Sequence, residues 1–388
     1  MKKLLLILIA LPMIGFGQNV NIPDANFKAY LVGNSAINTN GDAEIQVSEA
    51  AIFGGGINCS NSGIFDLTGI DAFTNLDSLL CDSNSLTYLD ITSNGMLRVL
   101  SCSHNALTSL DVTGMSLQIQ DELSIDCSYN QLTSLDLSSL YFPSNASGMV
   151  FIDIDCSHNQ INSLNLIGPN WPDWNSLIDC SYNELISLDL PDAGLLDCSN
   201  NLLTSLDLND IGLEGIDCSY NQLTTLDIID DDYSLFGFFC SHNQLTSITF
   251  TNAEFPFFMC DNNLLTNLDM SGTDLKYGFS CSNNNLYSLN MKNVDYISID
   301  SNFSATNNPN LFCINVDNTN WSTANWTNID LQHYFSANCP PPSSIMEHST
   351  NKELLKVTDL LGRETKETNQ PLFYIYDDGT VEKRIVIE

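Results

Sequence analysis

The sequence predicts a parallel-strand repeat solenoid closed by caps, with a separate short module at its C-terminal end. Three observations predict it. A cysteine-led segment recurs, so that Cys102-Ser-His-Asn-Ala-Leu-Thr-Ser-Leu-Asp-Val returns from Cys127 and again from Cys218 with few changes. Further copies begin at Cys81, Cys156, Cys180, Cys198, Cys240, Cys260 and Cys281, with a worn one at Cys59. Most spacings fall between 18 and 25 residues, and the longest, 29 residues from Cys127 to Cys156, carries an insertion around 141–149. Within a copy, Leu100 and Cys102 alternate with Ser101 and Ser103, the period of a half-buried strand. One such unit cannot bury its apolar face alone, so the copies must stack.

The aligned pattern is L-x-x-L-x-C-x-x-N-x-L-x-x-L-x-L, as in Leu97, Leu100, Cys102, Asn105, Leu107, Leu110 and Val112. It resembles the leucine-rich-repeat family, with cysteine at one strand leucine position. The resemblance spans roughly 57–305 and implies a parallel β-sheet horseshoe or arc that acts by binding. The asparagine column, Asn105 and its equivalents, stands where the strand turns away, where an amide can satisfy backbone groups of the turn.

The N-terminus comes first in chain order. Lys2 and Lys3 precede an apolar run, Leu4 to Ile14, and small residues at Gly15 and Gly17. This reads as a secretory signal over 1–17, too short to span a bilayer. No later stretch is apolar enough for a membrane helix, so the mature chain is expected to be exported, on the outer cell surface or secreted.

Residues 18–56 read as an N-terminal cap. A helix is expected over Asp24–Leu31, with Phe27, Tyr30 and Leu31 on one face. The loop that follows places Asn38, Asn40, Asp42, Glu44 and Glu49 at the oxygen positions of an EF-hand-type calcium loop. Asn38 replaces the usual Asp, and Ala43 stands where Gly permits the sharp turn. Calcium is therefore one reading of the loop and a polar cap connection the plainer one.

Eleven cysteines fall one per repeat. A zinc site gathers several ligands at one centre, whereas this column spaces single thiols by about 4.8 Å. Parallel Cβ vectors give poor disulfide geometry. The column is expected to be buried free thiol. Cys313 and Cys339 lie beyond the last clear repeat, in a 306–342 stretch that reads as a C-terminal cap and proline linker. An oxidising destination predicts that these two form a disulfide.

Residues 343–388 differ in composition. Basic residues return after Lys352, and Lys352–Arg363 and Leu372–Ile387 supply three strand-like runs with a turn at Asp377–Gly379. Asp359-Leu-Leu-Gly362 and the Lys383–Ile387 ending resemble the C-terminal sorting domain of the type IX secretion system of Bacteroidetes bacteria. The resemblance implies engagement of that machinery, then removal of the tail or attachment at the surface.

The charge is extreme, 47 Asp and Glu against 12 Lys and Arg, and Arg98 is the sole basic residue between Lys28 and Lys276. Such a chain repels phosphate backbones, which excludes nucleic acid as a natural partner. Part of this charge is ordered. The residue before the cysteine is Asp in five successive repeats: Asp126, Asp155, Asp179, Asp197 and Asp217. The residue after it is mostly Ser, and the next is often a ring, including Tyr129, Tyr182 and Tyr220. An acidic, a hydroxyl and a ring stripe are therefore expected side by side on the strand face, a candidate surface for a protein or a glycan. Five carboxylates at strand spacing repel by about 1 kcal/mol per neighbouring pair in water. A cationic partner or calcium would relieve that, and plain solvation is the bland alternative, in which the chain is a structural envelope or matrix protein. Catalysis finds no support, because the face histidines are at least a repeat apart and no nucleophile, base and acid converge.

Overall fold

A computed structural model of the chain describes residues 18–115, 122–140, 151–166, 176–190, 194–208, 213–229, 237–251, 254–271, 273–294, 299, 302–340, 354–359, 363–365, 371–376 and 381–385. The expected signal at 1–17 and the turn at 377–379 lie outside these. The chain divides into two compact units, Met1–Cys339 and Pro340–Glu388.

The first unit is a parallel-strand solenoid. Among the described residues twelve strands form one parallel sheet, from Gly56–Asn58 at one end to Phe303–Ser304 at the other. Strands as far as Asp274–Ser280 each end on the residue before a column cysteine. The ladder nevertheless continues past the strand end, since Cys102 N donates to Asp126 O at 2.8 Å and His104 N to Ser128 O at 3.1 Å. Smaller parallel sheets run on a second row, such as Ser134–Asp136 with Ser163–Asn165 and Thr225–Ile229 with Ser247–Thr251.

Two columns hold successive coils in register. The eleven cysteines from Cys59 to Cys281 are free and buried, as expected. Burial pushes their thiols up, Cys59 to about 12, so they behave as small hydrophobes rather than nucleophiles. The asparagine column makes more bonds than its position in the sequence suggests. Asn130 Nδ2 donates to Cys127 O and Ser128 O in its own coil, at 3.1 Å each, and to Cys102 O of the preceding coil at 3.0 Å. Its Oδ1 accepts Leu107 N at 2.9 Å. One amide therefore satisfies groups of two coils at once, and Asn105, Asn159, Asn183, Asn201, Asn221, Asn243 and Asn263 place Nδ2 on the preceding cysteine carbonyl in the same way. Cys102 O and Cys127 O also accept the amides of Asn105 and Asn159, so losing Asn130 would strand Leu107 N, and a buried N–H without a partner costs about 1–3 kcal/mol.

The caps cover the open ends of this stack, where apolar side chains would otherwise face water. At the start, helix Ala25–Gly33 is capped by Asp24, whose carboxylate accepts Asn26 N and Phe27 N. Phe27 and Leu31 are fully buried. Tyr30 turns its hydroxyl to accept Asn58 N at 2.9 Å, tying the helix to the first strand. At the other end, helix Thr319–Asn325 leads into Trp326, which stacks on Phe303 with centroids 4.2 Å apart. Cys313 and Cys339 are joined as a disulfide.

The second unit contains three antiparallel strands, Leu354–Thr358, Pro371–Tyr376 and Val381–Ile385. Asp359 accepts Arg363 N at 2.9 Å and pairs with the Arg363 guanidinium.

A candidate recognition face

The five stripe aspartates stand in lateral register on adjacent strands, Asp126 beside Asp155, then Asp179, Asp197 and Asp217. Each is half-buried, because its strand neighbours wall it on two sides. Each also bonds locally. Oδ1 of Asp126, Asp155, Asp179, Asp197 and Asp217 accepts the backbone N–H two residues on, at 2.9–3.0 Å. The carboxylate thus closes the turn that starts after the cysteine. Burial pushes Asp155 and Asp197 above the ordinary carboxylate range; the bonds from Ser157 and Ser199 oppose that rise, and the neighbouring aspartates add to it.

Next to this stripe runs a ladder of side chains on left-handed backbone. His104, Tyr129, His158, Tyr182, Asn200, Tyr220, His242 and Asn262 all have φ between 51° and 56°. Asn and His tolerate this region; a tyrosine there is unusual. Stacking supplies a compensating contact. His104, Tyr129, His158 and Tyr182 lie face to face with centroids 4.2–4.3 Å apart and planes within 10–13°, and Tyr220 stacks on His242 at 4.1 Å. Tyr129, Tyr182 and Tyr220 remain 45%, 51% and 52% exposed. The sequence placed these rings on one stripe; that they are left-handed and mutually stacked was not anticipated. The signal was there, since the position shares its residue types with Asn and is followed by the invariant asparagine of the turn.

A third column lies beside these two. Two residues before the acidic stripe, the strands present Asp153, Leu177, Leu195, Gly215 and Gly237 in register. The side chains vanish at the two glycines, and a hollow of about 410 Å³ opens on the face. Leu177, Leu195 and Phe239 form its apolar lining, and Asp179, Asp197 and Asp217 border it. Side chains of the face lie over both glycines. A Cβ on Gly215 would sit 2.9 Å from Leu195 Cδ2, and one on Gly237 would sit 2.7 Å from the Phe239 ring. Reading every second strand residue, rather than only the one beside the cysteine, would have shown the change from acid to leucine to glycine.

Four residues of the calcium reading lie in one loop and Glu49 lies in the helix Val47–Ile52 that follows, and their bonds run to the loop and its flanks. Asn38 turns its Nδ2 to Val32 O and Asp42 O, and its Oδ1 accepts Gly41 N. Asn40 and Asp42 accept Asp42 N and Glu44 N, and Glu44 pairs with Lys28 at 2.7 Å. Glu49 accepts Thr39 N, Asn40 N and Gln46 N. Burial works against the Glu49 charge, but these bonds outweigh it and hold the carboxyl below its ordinary range. Among the described residues no three acidic, histidine or cysteine side chains group as ion ligands.

No protein-family model matches the chain, and no curated protein does. Solved structures do. The functional domain of InlJ from Listeria monocytogenes, described as including a cysteine ladder, is 24% identical over 77% of this chain and 82% of its own, with a TM-score of 0.33. A leucine-rich repeat protein from Bacteroides eggerthii is 16% identical over 72% of this chain and 55% of its own, with a TM-score of 0.49. YopM from Yersinia enterocolitica is 20% identical over 68% and 62%, with a TM-score of 0.41. At these identities the likeness is one of fold. Among the described residues no helix is long and apolar enough to cross a membrane.

Proposed function

We propose that this chain is an exported or cell-surface recognition module that binds a protein through the strand face between Ser176–Asp179 and Gly237–Phe239. The observation that carries the reading is the hollow at Gly215 and Gly237, apolar inside and bordered by three carboxylates. An apolar depression with a few convergent polar groups is where a binding side chain is usefully buried. The partner it fits is a protein segment that presents an apolar side chain beside a cationic one. A glycan is the weaker fit, because sugars pack on open ring faces and most ring faces here are covered by other rings. Export by the 1–17 signal and handling of 343–388 by the type IX secretion machinery belong to the same reading, supported by the sequence resemblance; a chain ending at Pro342 is expected to stay inside the cell envelope.

The test is capture from cell-surface extracts by immobilised chain, with and without calcium. Leu195→Glu places a charge in the hollow, and Asp179, Asp197 and Asp217→Asn together remove its border. Protein captured by the native chain and lost with either variant supports the reading. Equal capture by all three would reassign the acidic stripe to solvation and the chain to a structural role, and calcium dependence would bring the 38–49 loop into account.

A further inference from the structure

The ring ladder has a shortened rung. Tyr182, Asn200 and Tyr220 occupy consecutive coils, with Tyr182 N donating to Ser199 O at 3.0 Å and Asn200 N to Ser219 O at 2.9 Å. All three share the left-handed conformation, φ 52°, 55° and 56°, so their side chains leave the backbone in the same direction. The middle one is an amide, and it ends where its neighbours' rings begin. Its Nδ2 donates to Ser199 Oγ at 3.1 Å, toward the turn. The outer halves of the Tyr182 and Tyr220 rings therefore stand two rungs apart, about 8.4 Å at the ladder's own ring spacing and about 9.6 Å at strand spacing. One planar group in contact with both rings needs about 7–8 Å, and two such groups would not fit. The two rings flanking this rung are also more exposed than Tyr129, which has a histidine on each side: 51% and 52% against 45%.

The surroundings select the charge of what enters. Ser199, which receives the Asn200 amide, donates its backbone N–H to Asp197 at 2.9 Å, and Asp179 and Asp217 flank Asp197 in register. The protein carries a net charge of −35. A planar cation satisfies both demands. A guanidinium is flat, permanently charged and weakly hydrated, and stacks on aromatic faces; an ammonium is compact and holds its water.

We infer that the gap between Tyr182 and Tyr220 above Asn200 is a slot for one arginine side chain of the partner protein, completing the ring stack beside the acidic stripe. This deepens the strand-face reading and rests on it. Leu195, Asp197 and Asn200 belong to one coil, so an arginine in the slot and an apolar neighbour in the hollow would come from a single short segment of the partner.

The experiment uses the chain from Gln18 to Glu388 with 13C-labelled tyrosine, its ring signals assigned through single Tyr→Phe variants. Nα-acetyl-arginine amide is titrated, against the acetylated amides of lysine and citrulline. Saturable shifts of the Tyr182 and Tyr220 rings, with Tyr129 unmoved, are expected, and binding about tenfold weaker for lysine and citrulline. Asn200→Tyr fills the rung with a residue the ladder already uses elsewhere, and is expected to abolish the shifts without lowering the melting temperature. Tyr182→Leu serves as a second variant and should weaken binding while keeping the fold. Equal shifts for lysine, shifts that persist in Asn200→Tyr, or none below about 50 mM would overturn the slot. Full capture of the partner by Asn200→Tyr together with lost capture by Leu195→Glu would remove the slot and leave strand-face recognition standing. Full capture by Leu195→Glu would remove the reading beneath it.

Discussion

Two stretches of the same sheet, Leu123–Asp217 and Gly237–Ser280, share a backbone and differ in nearly everything that lies on it. The first places aspartate before each cysteine and packs Ile125, Ile154, Ile178, Leu196 and Ile216 underneath. The second places Phe239, Met259 and Ser280 on the surface and packs Phe238, Phe258 and Phe279 beneath, in a ring series that reaches Phe303 and Trp326. The turn survives the exchange. Where the residue before the cysteine is not acidic, an aspartate after the preceding cysteine can close the turn of the next coil: Asp82 accepts Ser103 N at 3.1 Å, and Asp261 accepts Ser282 N at 2.6 Å. The fold therefore asks for an acceptor near the turn rather than a carboxylate in the stripe, and in the coil of Cys260 the Ser241 hydroxyl accepts Asp261 N at 3.1 Å. In the five acidic coils the residue after the preceding cysteine is serine, so the stripe aspartate itself closes each turn, and the recognition role proposed above is additional to that one.

The largest expected difference between the stretches lies in the core. Phe258→Ala should cost about 3–5 kcal/mol, because the ring series loses a member that touches Phe238, Phe255 and Phe279. Ile178→Val in the acidic stretch should cost about 0.5–1.5 kcal/mol, both read by chemical denaturation. Comparable losses would mean that the ring series is no more sensitive than the aliphatic core.

The asparagine column should erase the comparison. Asn221→Ala in the acidic stretch and Asn263→Ala in the apolar one each remove four hydrogen bonds and strand one buried N–H, of Leu203 or Leu245, while the three carbonyls each keep a second donor. Each is expected to lose on the order of 3 kcal/mol. If denaturation midpoints fell at Asn221 alone, the shared ladder would not be what joins the coils.

The smallest effect separates the two stretches by charge. Asp155 and Asp197 have folded-state pKa values raised above the ordinary range, chiefly by burial. Protonation thus favours the folded chain, and their contribution to stability grows as pH falls from neutral through the raised values. Asp155→Asn with Asp197→Asn keeps an oxygen to accept the serine N–H and removes the charge. The variant should gain about 1 kcal/mol or less at pH 7, and the gain should shrink as pH approaches the ordinary carboxylate range. Asp90, Asp136 and Asp330 act in the opposite sense, since hydrogen bonds lower their pKa values and their contribution is lost on acidification. The difference between variant and native melting at each pH isolates the stripe. An unchanged difference from pH 7 to pH 4.5 would show that the stripe is fully solvated.

Much of this molecule was legible in order along the chain. The repeat fixed the parallel stack, the buried thiol column, the outward aspartates and the ring stripe, because a coil of about 22 residues leaves each position only one face to occupy. The first helix came within two residues of its place, beginning at Ala25 after the Asp24 cap. The calcium reading rests on spacing, and spacing does not say whether Glu49 meets an ion, the loop's own N–H groups or both. Here Thr39, Asn40 and Gln46 supply them. The hollow was missed because Gly215 and Gly237 look like two weakened strand residues until Leu195 and Phe239 are seen to lie against them.

Local sequence determined which residues share a stripe, since alternation and a fixed turn act within one coil. What lies between coils was decided by the stack: the distance from Tyr182 to Tyr220, the crowding that raises Asp197, the amide of Asn130 reaching Cys102. Residues some 20 positions apart meet there only because each coil is laid in register on the one before, and no single repeat contains that register.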